Sequence, residues 1–198
     1  MNPTAWIAYP LLGYLSGSLP FALWVTRIIK GTDIRDAGSG HITSTNTIRQ
    51  AGWFPGILVL LLDVSKGFLP TYLSMRSNSP ILLVVLTASL TVVGHCWPIF
   101  AQFRGGMGLA VTGGSYLAVA PIGFAVGIGV LIGLLLLIRH AARASFFAAF
   151  LIPLVLWLLG MRDTILWVAI GTGIIVAIRF TIDWNREYRE LWLDREKE

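Results

Sequence analysis

The chain has 198 residues, 56% of them hydrophobic and 13% charged, with a net charge of +5. Soluble domains carry about 25% charged residues, so no soluble domain of useful size can be cut from it. Its positive residues lie between apolar runs, without the dense basic stripe that marks a nucleic-acid surface. The single cysteine, Cys96, excludes an intrachain disulfide and a cysteine metal cluster.

The pattern predicts an all-α, polytopic membrane bundle of about seven spans in one domain, 1–198. The expected spans are 4–29, 53–74, 80–101, 107–120, 122–138, 145–160 and 163–182. A run of about twenty apolar residues crosses about 30 Å of hydrocarbon. No basic n-region or Ala-x-Ala site accompanies the first span, which is expected to be retained rather than cleaved. The loop after it runs Gly38-Ser39-Gly40-His41-Ile42-Thr43-Ser44-Thr45-Asn46-Thr47-Ile48-Arg49. Gly38 and Gly40 permit backbone angles that converge N–H groups. Ser39 adds a hydroxyl, and Thr43 to Asn46 offer N-caps for a short helix carrying Arg49. That is one form of phosphate cradle; an ordinary capped loop is the other reading of the same residues.

In the second span, Asp63 and Lys66 stand one turn apart. Charges within a span are costly, and a mutual ion pair that braces the bundle is the preferred reading. The third span ends at Gly94-His95, followed by Pro98, Phe100, Phe103 and the run Arg104-Gly105-Gly106, a second candidate anion site. The fourth span is short and contains Gly113 and Gly114, as a half-span or re-entrant piece would. Pro121 breaks the chain before the fifth, where Gly123, Gly127, Gly129 and Gly133 predict a close helix seam. After the sixth and seventh spans, Trp184, Tyr188, Leu191 and Trp192 share one face of a tail expected to form an interfacial helix.

Charge bias orients the bundle. With loop 30–52 inside, the inner set is Arg27, Lys30, Arg35, Arg49, Arg104, Arg139, Arg143, Arg179, Arg186, Arg189, Arg195 and Lys197, against Arg76 and Arg162 outside. The positive-inside rule then places the N-terminus outside and the C-terminus in the cytoplasm. Both glycine-rich loops face the cytoplasm, in a multi-pass protein of the plasma or inner membrane. His41, His95 and His140 are dispersed and have no accompanying ligand set, so no metal is expected. No Gly-x-Ser-x-Gly elbow is present either.

At these loops the chain resembles the bacterial acyl-phosphate:glycerol-3-phosphate acyltransferase family. The resemblance rests on Gly38-Ser39-Gly40 with Thr45-Asn46 and Arg49; on Asp63, Lys66 and Gly67; on Gly94-His95 with Pro98-Ile99-Phe100; and on Phe103-Arg104-Gly105-Gly106 with Gly108. It implies a cytoplasm-facing membrane enzyme that moves an acyl chain from acyl phosphate to the 1-hydroxyl of glycerol 3-phosphate, with no cofactor, metal or nucleic acid. His95, Arg49 and Asn46 are its expected catalytic residues. Gly38, Ser39, Gly40, Thr45, Arg104, Gly105, Gly106 and Ser145 are the expected phosphate- and substrate-binding ones.

The chain departs from the family at several positions. His41 stands where asparagine is usual, Thr43-Ser44 where Gly-Ala is usual, and Met107 where a lysine is usual, at the expected mouth of the Arg104 turn. Ala142 stands near a usual serine. Phe180-Thr181-Ile182-Asp183 replaces a His-Arg-x-Asn pattern. These departures raise a rival expectation: a paralogue that binds acyl phosphate or phospholipid without turnover, or that uses another acceptor.

Overall fold

A computed structural model describes residues 3–185 and is helical throughout, with no strand among those residues. The helices are α1 (Ala5–Gly17), α2 (Phe21–Lys30), α3 (Ser44–Ala51), α4 (Trp53–Arg76), α5 (Ile81–Cys96), α6 (Leu109–Val119), α7 (Pro121–Ile138), α8 (Ala141–Leu158) and α9 (Thr164–Ile182). Short 3-10 turns occupy Ile34–Asp36 and Ile99–Ala101. Six stretches of the described residues are long and apolar enough to cross a membrane. The expected fourth span is the 11-residue α6, about 16 Å long at 1.5 Å per residue, the short piece that its glycines led us to expect.

The expected first span is broken. Its 26-residue apolar stretch divides into α1 and α2 at Leu19-Pro20, because proline lacks an N–H and disfavours helical backbone at the residue before it. A break inside hydrocarbon leaves polar backbone to be satisfied internally. Lys66 of α4 does this, donating from Nζ to the Leu19 carbonyl at 2.8 Å. The same ammonium lies 2.9 Å from Asp63 Oδ1, and the Lys66 carbonyl accepts from Ser16 Oγ at 3.1 Å. The intramembrane ion pair and the helix break thus satisfy one another.

Glycines set the tightest helix contacts, though not those of the expected seam. A Cβ on Gly17 would strike the Thr91 carbonyl and one on Gly94 the Tyr14 carbonyl, so α1 and α5 touch backbone to backbone. Gly67 and Gly114 do the same between α4 and α6, against the Val111 and Val64 carbonyls. These contacts hold the short α6 as an inner piece of the bundle. On α7, Gly123 and Gly127 face Ile165 and Tyr116, but Gly129 and Gly133 have open space beside them. The expected seam is therefore half as long, and the far flank of α7 exposes Ile128, Ile132, Leu136 and Leu137. Trp184 packs edge-on against Phe146 at 5.2 Å; the rest of the expected interfacial helix lies outside the described residues.

Lys66→Met strands Asp63 and the Leu19 carbonyl in the bundle. We expect it to cost about 3–5 kcal/mol, the typical penalty for removing one partner of a buried pair. Asp63→Leu/Lys66→Met should recover part of that loss. Thermal unfolding in detergent, followed by tryptophan fluorescence, checks the ordering; a double variant less stable than Lys66→Met would contradict it.

Candidate active site

The first loop is built around the side chain of Asn46, which is fully buried. Its amide nitrogen donates to the carbonyls of Ile34, Ala37 and His41 at 3.2, 3.1 and 3.0 Å, and its Oδ1 accepts from the Ser39 N–H at 3.2 Å. Gly38 and Gly40 carry φ of +56° and +70°, left-handed angles that bend the chain around that amide. Thr43 caps α3, its Oγ1 accepting from the Asn46 N–H at 3.2 Å. Every polar atom of the Asn46 side chain is committed inside the loop, so Asn46 shapes it.

Ahead of the cradle, Asp33 accepts from the Arg35 backbone and from the guanidinium Nε and Nη2 at 3.0, 2.9 and 2.7 Å. The hydrogen bonds from the Arg35 side chain hold the Asp33 carboxyl well below the usual carboxylate range, and the same contact raises Arg35. Arg35 then reaches across to the Ala101 carbonyl at 3.2 Å and Gln102 Oε1 at 3.3 Å. Arg104 answers in the other direction, donating to the Arg35 carbonyl at 3.2 Å.

The second loop closes on the first through Gly105 and Gly106. The Gly105 carbonyl accepts from the Ile42 N–H at 3.3 Å, and the Gly106 N–H donates to the His95 carbonyl at 3.0 Å. Arg179 of α9 donates from Nε to the Gly106 carbonyl at 3.1 Å. A Cβ on Gly106 would strike the His95 ring and the Ile42 carbonyl, so this turn admits no side chain. His95 lies buried beneath the turn, its Nδ1 3.9 Å from Asp63 Oδ1.

The expected site residues divide accordingly. Gly38, Ser39, Gly40, Gly105, Gly106 and His95 come together. Thr45 is exposed on α3, its hydroxyl 3.2 Å from that of Thr43, and Arg49 sits half-buried in the last turn of α3. Arg104 is exposed and turned toward Arg35 and Asp36. Ser145 faces elsewhere, into a small cavity inside the bundle shared with Thr112, Tyr116 and Val176. Thr112 Oγ1 is buried there without a hydrogen-bond partner. Met107 is not at the mouth of the turn. It is buried in an apolar cluster with Val92, Ala142, Val176 and Phe180, so a lysine ammonium in its place would be desolvated.

Sequence reasoning left three residues out of the site: His41, Asp183 and Arg179. His41 Nε2 lies 2.9 Å from Asp183 Oδ2, and Arg179 Nη1 lies 3.3 Å from the same oxygen. Arg179 and Asp183 stand four residues apart at the end of a helix, a spacing that signals a pair. In the charge tally Arg179 counted only as an orienting charge.

A family model described as glycerol-3-phosphate acyltransferase matches residues 7–189. The chain belongs to that family. Glycerol-3-phosphate acyltransferase 2 of Thermotoga maritima is 38% identical over 160 residues, covering 80% of this chain and 81% of the relative. The glycerol-3-phosphate acyltransferase of Geobacillus kaustophilus is 41% identical over 139 residues, covering 70% of each. The crystal structure of PlsY (YgiH), an integral membrane glycerol 3-phosphate acyltransferase in its glycerol 3-phosphate form, matches with a TM-score of 0.81 at 32% identity. That match covers 91% of this chain and 90% of the solved one. The protein is thus a multi-pass membrane acyltransferase, and the resemblance at the two loops extends to the whole fold.

The Asp33–Arg35 contact makes the first loop sensitive to acid. A carboxyl whose folded pKa is depressed contributes stability above its unfolded value, near 4, and loses that contribution as pH falls toward the folded value. Asp33→Asn should therefore lower the unfolding temperature by a constant amount at neutral pH. The deficit should shrink as pH drops below about 4. A deficit that stays constant through acid would remove the ion pair as its cause.

Proposed function

We propose that the chain transfers a fatty acyl group from acyl phosphate to the 1-hydroxyl of glycerol 3-phosphate, forming lysophosphatidic acid at the cytoplasmic side of the membrane. The related PlsY (YgiH) has been solved in a glycerol 3-phosphate form and a lysophosphatidic acid form, which correspond to the acceptor and product of this reaction. The observation that carries the reading is the junction of the two loops, Ile42 N–H to the Gly105 carbonyl at 3.3 Å. It sets the Gly38-Ser39-Gly40 cradle beside the Arg104-Gly105-Gly106 turn, as a reaction between two phosphorylated substrates needs.

Acyl phosphate is a mixed anhydride, already activated for acyl transfer. The acceptor oxygen attacks the acyl carbonyl carbon, the bond from that carbon to the phosphate oxygen breaks, and phosphate leaves with the electron pair. No covalent enzyme intermediate is required. Ser145, the one expected hydroxyl on α8, lines a cavity that contains no histidine or carboxylate. The protein's work is to hold two phosphates, neutralise the leaving charge and align the hydroxyl. Ser39, the backbone of Gly38 and Gly40, Thr45 and Arg49 serve the acceptor phosphate. Arg104 serves the leaving phosphate at the surface of the Gly105-Gly106 turn, and His95 braces that turn from below. The apolar cluster of Met107, Ala142 and Phe180 favours one variant of this reading, in which a less charged acceptor replaces glycerol 3-phosphate. The charge bias supports the inward orientation: cysteine labelling at Arg76 and Arg162 should report the outer face, and at Gly40 the inner.

Purified protein given acyl phosphate and a panel of acceptors tests the reading directly. Lysophosphatidic acid and inorganic phosphate should appear in equal amounts from glycerol 3-phosphate. Arg49→Ala should lower kcat/KM at least about a hundredfold, about 2.7 kcal/mol, and Arg49→Lys should recover little of it, because a point charge does not replace a planar fork. A folded Arg49→Ala protein with unchanged kinetics would remove Arg49 from the site. Preference for an uncharged acceptor would establish the variant reading.

A further inference from the structure

Buried hydroxyls in this bundle follow a common habit. Thr71, Thr87, Thr91 and Thr172 each donate to the carbonyl four residues back on their own helix, at 2.8, 2.7, 2.7 and 2.7 Å. That bond satisfies a hydroxyl where bulk water does not reach. Thr112 of α6 and Ser145 of α8 break the habit. Both are buried, at 7% and 2% exposure. Thr112 Oγ1 has no hydrogen-bond partner, and Ser145 Oγ has none among the described residues. The two residues line one cavity, with Tyr116 beside them. We propose that this cavity is a binding site for ordered water, which bridges Thr112 to Ser145 and so ties α6 to α8.

Size and chemistry both select water. The centre of a water-sized sphere has about 30 Å³ to occupy there, and a single water needs about 10–15 Å³ by that measure. An apolar cavity stays dry, whereas one with converging polar groups holds water. Thr112, Ser145 and Tyr116 each bring a hydroxyl to the lining, and the rest of it is apolar. The Tyr116 hydroxyl has one long contact, 3.5 Å from Thr172 Oγ1, whose own proton goes to the Val168 carbonyl at 2.7 Å. Its phenolic proton is thus open to a further bond. A methyl group from a lipid chain would fit the space but leave the Thr112 hydroxyl stranded, at the cost of an unpaired polar group. The hydroxyls of Thr26 and Ser74 also lack partners, but neither residue lines this cavity.

The placement gives the water a task. Gly67 and Gly114 bring α4 and α6 together backbone to backbone. The α6 and α8 backbones stand apart, with the cavity between them. Bridging water completes the hold on α6 from the side that glycine contacts leave open. Leu109, the first residue of α6, follows Gly106 by three positions. The water therefore helps to fix the helix on which the Gly105-Gly106 turn is mounted.

The full chain in detergent tests the proposal through the sign of one substitution. Thr112→Val removes the hydroxyl and keeps the shape. With water in place it breaks a satisfied network, so the unfolding temperature should fall, by about 2–4 °C for a chain of this size. In a dry cavity it would remove a stranded hydroxyl, and the temperature would rise. Ser145→Ala should lower it too, and Thr112→Val/Ser145→Ala should cost less than the sum of the two, because both hydroxyls hold the same water. A crystal structure of the wild-type chain that resolves ordered water supplies a measurement that depends on no variant. Density within about 3 Å of both Thr112 Oγ1 and Ser145 Oγ is expected. A higher unfolding temperature for Thr112→Val, losses that simply add, or a cavity filled by an acyl chain in the crystal would overturn the proposal. The acyl-transfer reading stands or falls separately, since none of these readouts measures turnover.

Discussion

Three elements of the site converge on the backbone of Gly105 and Gly106. The first loop reaches it through Ile42, α5 through the His95 carbonyl and α9 through Arg179. Each contact needs the turn to press flat against its neighbours, which only a residue without Cβ permits. The constraint is steric before it is electrostatic. Given Gly106 against the His95 ring and the Ile42 carbonyl, and Gly105 against the His95 and Cys96 carbonyls, the remaining bonds follow, and with them the alignment of two glycine-rich loops distant in the sequence. The lacing of Arg35 and Arg104 over the outside of this junction adds polar support where solvent is near.

The helical bundle was legible in the sequence because hydrocarbon imposes a length and a composition that few other environments do. The Asp63–Lys66 pair was legible for the same reason. The break at Pro20 was not, since the flanking residues keep the stretch apolar, and what makes the break tolerable is Lys66, forty-odd residues away on another helix. Gly129 and Gly133 were read as packing positions because spacing alone does not say which flank of a helix faces a partner. The glycine pairs that do bring backbones together, Gly17 with Gly94 and Gly67 with Gly114, lie on different helices and share no local pattern.

The site was legible as a set of loops and less so as a set of roles. Asn46 stands out in a polar run, but its use as an internal tether depends on carbonyls at Ile34, Ala37 and His41 that converge only after folding. Met107, Ala142 and Phe180 read separately as three lost polar groups. Together they form one apolar cluster, which shows only once the chain is folded. His41 and Asp183 meet elsewhere, where loop and helix end come within 2.9 Å. That contact joins residues far apart in the chain, so a sequence read position by position does not reveal it.

A structure of this protein with glycerol 3-phosphate bound tests the account most directly. It predicts the phosphate within about 3 Å, hydrogen-bond distance, of the Ser39 loop, beside the junction of that loop with Gly105. A phosphate found instead in the cavity of Thr112 and Ser145, or away from both glycine-rich loops, would contradict it.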